Sequence, residues 1–361
     1  MAPSLPPDVL ALFAAQGGVA TVDQLIGTGF SQRRIATAVR RQVFVRVHRG
    51  AYVQFDRWRE AAPTTRHCLR LRAVQSAAPD AVAWGPTAAV VWGLPVRTIP
   101  TLPMVARPST CGQSLAGAAV RRAAVPVNDL VERRGLCVST LAVTVVDVVS
   151  VFGFRGGLMT VDGALRRGVA RTDLLEVAAQ WPVNRGRARL IESIEAGDPS
   201  SESGLESLSR ASVILSGLPV PLCNVVLICN GRVYRVDLLW VELGVVGECD
   251  GKTKYRDPRE VTEVLWQEKR RHEEIEEWGF RLARWGYPDV ADTDDVMLRR
   301  IDQAVQVQQR LGFTWPAEVR AEVRSPQGVT LPPRVVTEVL RLQRLGYPIS
   351  VTDEWGEPWS P

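Results

Sequence analysis

Two apolar runs, CNVVLICN (223–230) and RVYRVDLLW (232–240), meet at Asn230-Gly231. Asn-Gly favours the positive φ angles of a tight two-residue turn, so this stretch is committed to an antiparallel hairpin. A third apolar run, LGVVGECD (243–250), follows closely. VTEVLWQEKRRHEEIEEWG (261–279) then reads as a helix, with Val261, Val264, Leu265, Arg271, Ile275 and Trp278 along its inner side, and FRLARW (280–285) as a fourth strand. Upstream, SESGLESLSRASVILSGLP (201–219) is helical after its serines and stops at Gly217-Leu218-Pro219. The order is helix, three strands, helix, strand.

Three acids attach to this frame: Glu206 on the first helix, Asp237 on the second strand and Glu248 on the third, with Asp250 two positions on. Buried carboxylates repel one another and each is costly to desolvate, so several at a strand end point to a cation. Oxygen-only ligands select a hard ion, Mg²⁺ or Mn²⁺, over zinc. Such an ion among carboxylates suits phosphodiester hydrolysis. The lysines point the same way. Of 44 Lys plus Arg, only Lys252, Lys254 and Lys269 are lysine, and all lie beside these acids. A compact ammonium near the site neutralises charge on phosphate in a way arginine's rigid fork does not.

At 361 residues the chain exceeds one ordinary core. Its 46% hydrophobic and 23% charged content fits a globular class. No uncharged apolar stretch approaches the roughly 20 residues of a membrane span; 136–154 contains Asp147 and reads as a buried helix. The start, MAPSLPPDVL, lacks the order of a signal peptide. Six cysteines without a CxxC pair argue against zinc or a disulfide framework. The expectation is a cytoplasmic protein with no membrane partner.

Residues 8–55 read as a winged helix-turn-helix. PDVLALFAAQGG stops at a Gly pair, Thr21 and Gln24 form a capping box, and Ser31 caps SQRRIATAVRRQ, whose apolar face is Ile35, Ala38 and Val39. VFVRVHRGAYV alternates like a hairpin wing. Over 1–60 the basic residues are Arg33, Arg34, Arg40, Arg41, Arg46, Arg49, Arg57 and Arg59, and the acids are Asp8, Asp23, Asp56 and Glu60, +8 against −4. Four of the arginines lie on the helix such folds place in the groove, so Arg33, Arg34, Arg40 and Arg41, with Arg49 of the wing, are candidate DNA contacts.

Residues 60–197 alternate helical and strand-like stretches and hold no catalytic constellation. Asp147 and Asp162 read as packing or capping acids, and 182–201 as a linker. The expected divisions are 1–57, winged helix; 58–198, middle α/β region; 199–315, the acid-bearing α/β domain; and 316–361, one amphipathic helix and a tail.

The N-terminal stretch, through LFAAQGGVATVDQL and RRIATAVRRQVFVRVHRGAYV, resembles the winged-helix domain of AbiEi-type antitoxins. The resemblance implies DNA binding, often at the protein's own operator, and no catalysis. The C-terminal stretch resembles the PD-(D/E)xK nucleases, nearest to very-short-patch-repair enzymes. The matching residues are Ser203-Gly204-Leu205-Glu206, Gly217-Leu218-Pro219-Val220-Pro221, Arg235-Val236-Asp237, Gly247-Glu248-Cys249-Asp250-Gly251, Arg271-x3-Ile275-x3-Gly279-Phe280 and the closing Arg281–Trp285 strand. It implies Mg²⁺-dependent DNA cleavage with Asp237 and Glu248 as metal ligands and Glu206 as the helix-borne acid. One departure stands: the motif's lysine position holds Asp250, and Lys252 follows two later. Asp250 is then a further ligand with Lys252 or Lys254 supplying charge, or Lys269 supplies it from the helix, or the site is dead and binds DNA only. Glu202, four residues before Glu206, competes for the role of helix acid. The function expected is a Mg²⁺- or Mn²⁺-dependent endonuclease of phage defence, toxin–antitoxin or repair context, with Glu206, Asp237, Glu248, Asp250 and Lys252 catalytic. The alternative is a transcriptional repressor or antitoxin with a relic nuclease fold and a toxin partner.

Overall fold

A computed structural model describes residues 5–108, 114–123, 125–181, 186–251, 258–291, 293, 295–353 and 355–357, with backbone alone for 258–265. The chain forms two compact units, Met1–Val151 and Phe152–Pro361.

The first unit opens with α1 (Pro7–Ala15), β1 (Ala20–Thr21), α2 (Val22–Gly27), α3 (Gln32–Arg40), β2 (Phe44–His48) and β3 (Ala51–Gln54). Thr21 and Gln24 make the expected reciprocal capping box, and Ser31 accepts from the Arg34 N–H at 3.3 Å to start α3. The strands pair in the order β1-β3-β2 around a core of Val9, Phe13, Leu25, Phe30, Ile35, Ala38 and Phe44. This is the winged-helix order read from the sequence. Then come α4 (Phe55–Glu60), α5 (Pro63–Ala77), β4 (Val82–Ala83), α6 (Gly85–Trp92), β5 (Met104–Arg107), β6 (Ala119–Arg122), β7 (Leu130–Arg133) and β8 (Leu136–Ser139), giving a five-stranded mixed sheet β6-β5-β4-β8-β7. Leu71, Val74, Val91, Val105 and Val138 fill the space between that sheet and its helices.

The long helix α7 (Leu141–Leu165) breaks at Gly153, where φ is 65° and ψ is −166°. Only glycine takes that conformation cheaply. Two helical stretches therefore meet at a kink at Gly153. By length and hydropathy α7 passes for a membrane span, but 61% of its apolar window is buried inside the protein, including Val145, Val146, Val148 and Leu158.

The second unit continues with α8 (Arg171–Gln180), α9 (Arg187–Glu195), α10 (Gly204–Ser216), β9 (Leu222–Cys229), β10 (Arg232–Trp240), β11 (Val245–Asp250), α11 (Pro258–Glu277) and β12 (Arg281–Gly286). It ends with α12 (Pro288–Ala291), α13 (Asp295–Leu311), β13 (Val319–Arg324), α14 (Pro333–Arg344) and β14 (Ile349–Thr352). Its six-stranded sheet runs β12-β11-β10-β9-β13-β14, with β11 and β12 parallel around the α11 crossover. One face packs α10 and α13 through Leu205, Leu208, Val213, Met297 and Ile301. The other packs α11 and α14 through Ile275, Val335, Val339 and Leu342.

Residues 152–198, placed by sequence in the middle region, pack with this unit: Phe154 and Leu158 of α7 join Ala196 and Ala211. The stretch expected as a linker is the helix α9 followed by a buried turn, Ala196 to Ser201. Asp162 is what holds it, accepting the Asp198 N–H at 2.7 Å.

Candidate functional site

Asp237 sits where the strand pattern fails. Val236, Leu239 and Val241 join one core, whereas Leu238 and Trp240 join the other, so strict alternation breaks between 236 and 238. Asn224, opposite on β9, takes a left-handed φ of 49°, and the β9–β10 ladder skips the 224–237 pair. The β10–β11 register, Leu238 with Gly247, brings Asp237 beside Glu248 when continued by one residue. The Asp237 carboxylate accepts the Cys249 N–H at 2.7 Å.

Glu248 is buried on the α11 side of β11 and accepts from Arg271 Nη2 at 2.7 Å. Asp250, two residues on, is exposed and pairs with Arg284 of β12 at 3.1 Å. Glu206 is buried on α10. It accepts the Glu202 N–H and the Asn224 amide, both at 2.7 Å. Glu202 precedes the helix, which is capped by Ser203, and its carboxylate pairs with Arg235 at 2.6 Å. Of the two candidate helix acids, then, Glu206 alone lies on the helix. Gly247 is the flat spot behind the acids: a Cβ there would meet Trp285 at 2.6 Å and Trp240 at 3.1 Å. Sequence reasoning did not single out Asn224 or Arg284: Arg284 lies in the closing strand FRLARW without being marked as a site residue, and Asn224 is marked only by its positive φ.

Burial dominates the electrostatics. It raises the Asp237 carboxyl above the ordinary range, opposed by the Cys249 N–H and Arg271. Burial, then repulsion from Asp237, raises Glu206. Burial pushes Glu248 up to about 8 against the pull of Arg271. These directions are those of carboxyls packed together.

The donor set does not fit a divalent ion as it stands. Among the described residues no three His, Cys, Asp or Glu side chains converge on one point. A guanidinium holds Glu248, another holds Asp250, and a peptide N–H holds Asp237. Lys252 and Lys254 lie outside the described residues. Lys269 does not reach the acids: it is exposed on α11 and pairs with Glu273 at 3.6 Å.

In the first unit the arginines of α3 stand on its solvent face. Arg33, Arg34, Arg40 and Arg41 are all exposed, as is Arg49 of the wing turn. They are not equivalent. Arg34 lies over the Phe30 ring at 4.3 Å and donates to the Gly29 carbonyl at 3.4 Å. Arg40 donates to the Thr37 hydroxyl at 3.2 Å. Leu5, Pro6, Phe30, Arg33, Arg34 and Arg41 line a cleft of about 390 Å³ along the helix.

Helix α3 with its cationic face, beside the three-stranded sheet β1-β3-β2, gives residues 7–54 the architecture of a winged-helix module. A family model described as "Transcriptional regulator, AbiEi antitoxin" matches residues 7–53, and one described as "AbiEi antitoxin C-terminal domain" matches residues 81–194. Neither match reaches the acid cluster. Two curated relatives from Mycobacterium tuberculosis, Uncharacterized protein MT2308 (strain CDC 1551 / Oshkosh) and Uncharacterized protein Rv2248 (strain ATCC 25618 / H37Rv), are 27% identical over 128 residues. The alignment covers 35% of this chain and 46% of each relative, so the chain spans about half the length of the curated relatives it matches. The crystal structure of RV2827C protein from Mycobacterium tuberculosis is similar over 61% of this chain and 84% of that one, with 15% identity and a TM-score of 0.36.

Proposed function

We propose that this chain is a DNA-binding transcriptional regulator of the antitoxin type, whose second unit has a nuclease-like α/β fold without metal-dependent cutting. The observation that carries this reading is the exposed arginine face of α3, within the segment that matches the transcriptional-regulator family model. On this reading residues 1–57 bind DNA through Arg33, Arg34, Arg40, Arg41 and Arg49. Phosphate neutralisation by these arginines supplies most of the affinity. The match over 81–194 supports a second partner, a cognate toxin.

The test is fluorescence anisotropy with duplex DNA from upstream of the protein's own coding sequence and with a scrambled duplex. The wild type is expected to prefer its own DNA. Changing Arg33, Arg34, Arg40 and Arg41 together to alanine is expected to weaken both complexes and flatten the salt dependence, by about 0.9 in log–log slope for each lost phosphate contact. Unchanged affinity in the quadruple variant would remove α3 from the interface and sink this reading.

One observation favours a second reading, a Mg²⁺- or Mn²⁺-dependent endonuclease with Glu206, Asp237, Glu248, Asp250 and Lys252 in its site, spanning 199–315. The order α10-β9-β10-β11-α11-β12 carries Glu206, Asp237 and Glu248 on its first helix and on two paired strands. Nicking of supercoiled plasmid by the wild type with either ion, lost in Glu248→Gln, would put this reading ahead of the first.

A further inference from the structure

Three arginines around β11 each pair with one acid. Arg235 pairs with Glu202, Arg284 with Asp250, and Arg271 with Glu248. The third pair differs from the other two. Asp250 and Glu202 are exposed, whereas Glu248 is buried, so any negative charge it carries must be met from inside the protein. Arg271 reaches it from α11 and also donates to the Arg235 carbonyl on β10, so its guanidinium spans β10 and β11. Glu248 accepts from it directly, and Asp237, beside Glu248 on β10, is near enough to feel its charge.

We infer that Arg271 is the resident cation of the Asp237–Glu248 pair, standing where a divalent ion would otherwise sit and excluding it. This deepens the non-cutting part of the reading above and fails separately from it, because DNA binding by α3 does not enter the measurement that tests it. A guanidinium fixed by two acceptors on neighbouring strands leaves Glu248 Oε1 no room for an ion at about 2.1 Å, the distance Mg²⁺ demands. Removing it leaves two buried carboxylates whose remaining cations, Arg235 and Arg284, act only from farther off and are themselves paired with Glu202 and Asp250. That arrangement takes up a cation or protonates.

The experiment titrates the full-length chain, stripped with EDTA, with Mn²⁺ alone and reads the free ion by its electron paramagnetic resonance signal. The wild type is expected to leave Mn²⁺ free. Arg271→Gln and Arg271→Met are expected to take up Mn²⁺ at least about tenfold more tightly, the scale of removing a unit charge a few ångströms from the ion. Adding Glu248→Gln to either variant should abolish that uptake. Mn²⁺ uptake by the wild type as tight as by the variants overturns the inference, and so does a folded variant that takes up none. Should the variants unfold in EDTA, Mn²⁺ present during refolding must restore their circular dichroism; if it does not, the inference fails.

Discussion

Arg210 Nη2 lies 2.8 and 2.7 Å from the two oxygens of Asp162, and both side chains are wholly buried. The pair ties α10 to α7 and extends into the turn between α9 and α10. Arg210 Nη1 donates to the Ala196 carbonyl at 2.7 Å, and Asp162 accepts the Asp198 N–H. Gly197 in that turn passes so close to α7 that a Cβ would meet Leu165 and Val161 at 2.6 Å. A buried ion pair is weak evidence of net stability, but breaking one half strands a charge.

Arg210→Met alone should therefore cost the second unit roughly 3–5 kcal/mol. Adding Asp162→Leu should recover much of that loss, since an apolar pair of similar volume needs no counter-charge. Urea unfolding of the two single variants and the double variant checks it. Costs that simply add would mean the pair is not coupled.

The first unit contains two buried groups whose protonation opposes one another. Burial lowers His67 from 6.5 to about 4, with Arg70 acting in the same direction. Burial raises Asp147 from 3.8 to about 7, against its 2.8 Å ion pair with Arg121. His67 therefore contributes stability above pH 6.5 that is lost as pH falls through 4. Asp147 contributes stability at low pH that is lost as pH rises from 3.8 through 7. Each amounts to roughly 3–5 kcal/mol over its full window, at about 1.4 kcal/mol per pH unit. Between about pH 4 and 6.5 the two slopes have opposite signs and cancel. Thermal melts across that range should be nearly flat for this pair in the wild type, rise with pH in Asp147→Asn and fall with pH in His67→Gln. Identical pH profiles for the two variants would count against the assignment.

Gly247 leaves room for Trp285, whose indole N–H donates to the Ser209 hydroxyl at 2.7 Å and so locks β12 to α10 behind the acids. Gly247→Ala should destabilise by about 1–3 kcal/mol, the usual cost of overpacking. It should also shift Trp285 fluorescence. Trp240 also touches this spot, so the assay is read against a Trp240→Phe background. A silent substitution would show that the indole has room to move.

The hairpin at Asn230-Gly231, the capping box at Thr21 and the N-cap at Ser31 were legible because each is a local rule: a turn that demands positive φ, or an acceptor that satisfies the first-turn N–H groups of a helix. Asp237 and Glu248 were legible as neighbours because adjacent strands fix their register. Three things were not. The Asp162–Arg210 pair joins residues 48 apart, and nothing in either segment points to the other. The hairpin of β7 and β8 turns on Arg134-Gly135, with φ of 54° and 66°; a charged residue hid a turn that Asn-Gly would have announced. Arg271 appeared in the sequence only as a helix residue of the inner side. Its pairing with Glu248 depends on how α11 crosses the sheet, which the sequence pattern does not specify. The choice between a metal site and an arginine-filled one lies in that crossing.

The arginines of α3 should separate into two kinds. Arg33 is exposed and its side chain has no partner among the described residues, so its charge is spent on nothing inside the protein. Arg34 packs on Phe30, which belongs to the winged-helix core, and on the Gly29 carbonyl. Arg33→Ala should therefore weaken DNA binding with no change in melting temperature. Arg34→Ala should weaken binding and also cost about 0.5–1 kcal/mol of stability, the worth of a cation–π contact at an exposed site. Arg34→Lys should keep most of the salt slope while losing part of the stability, since an ammonium supplies the charge but not the flat stacking surface. Anisotropy over a salt series, run beside thermal melts of the same samples, reads both effects at once. Equal loss of stability in Arg33→Ala and Arg34→Ala would show that the Phe30 contact does not hold Arg34 in place.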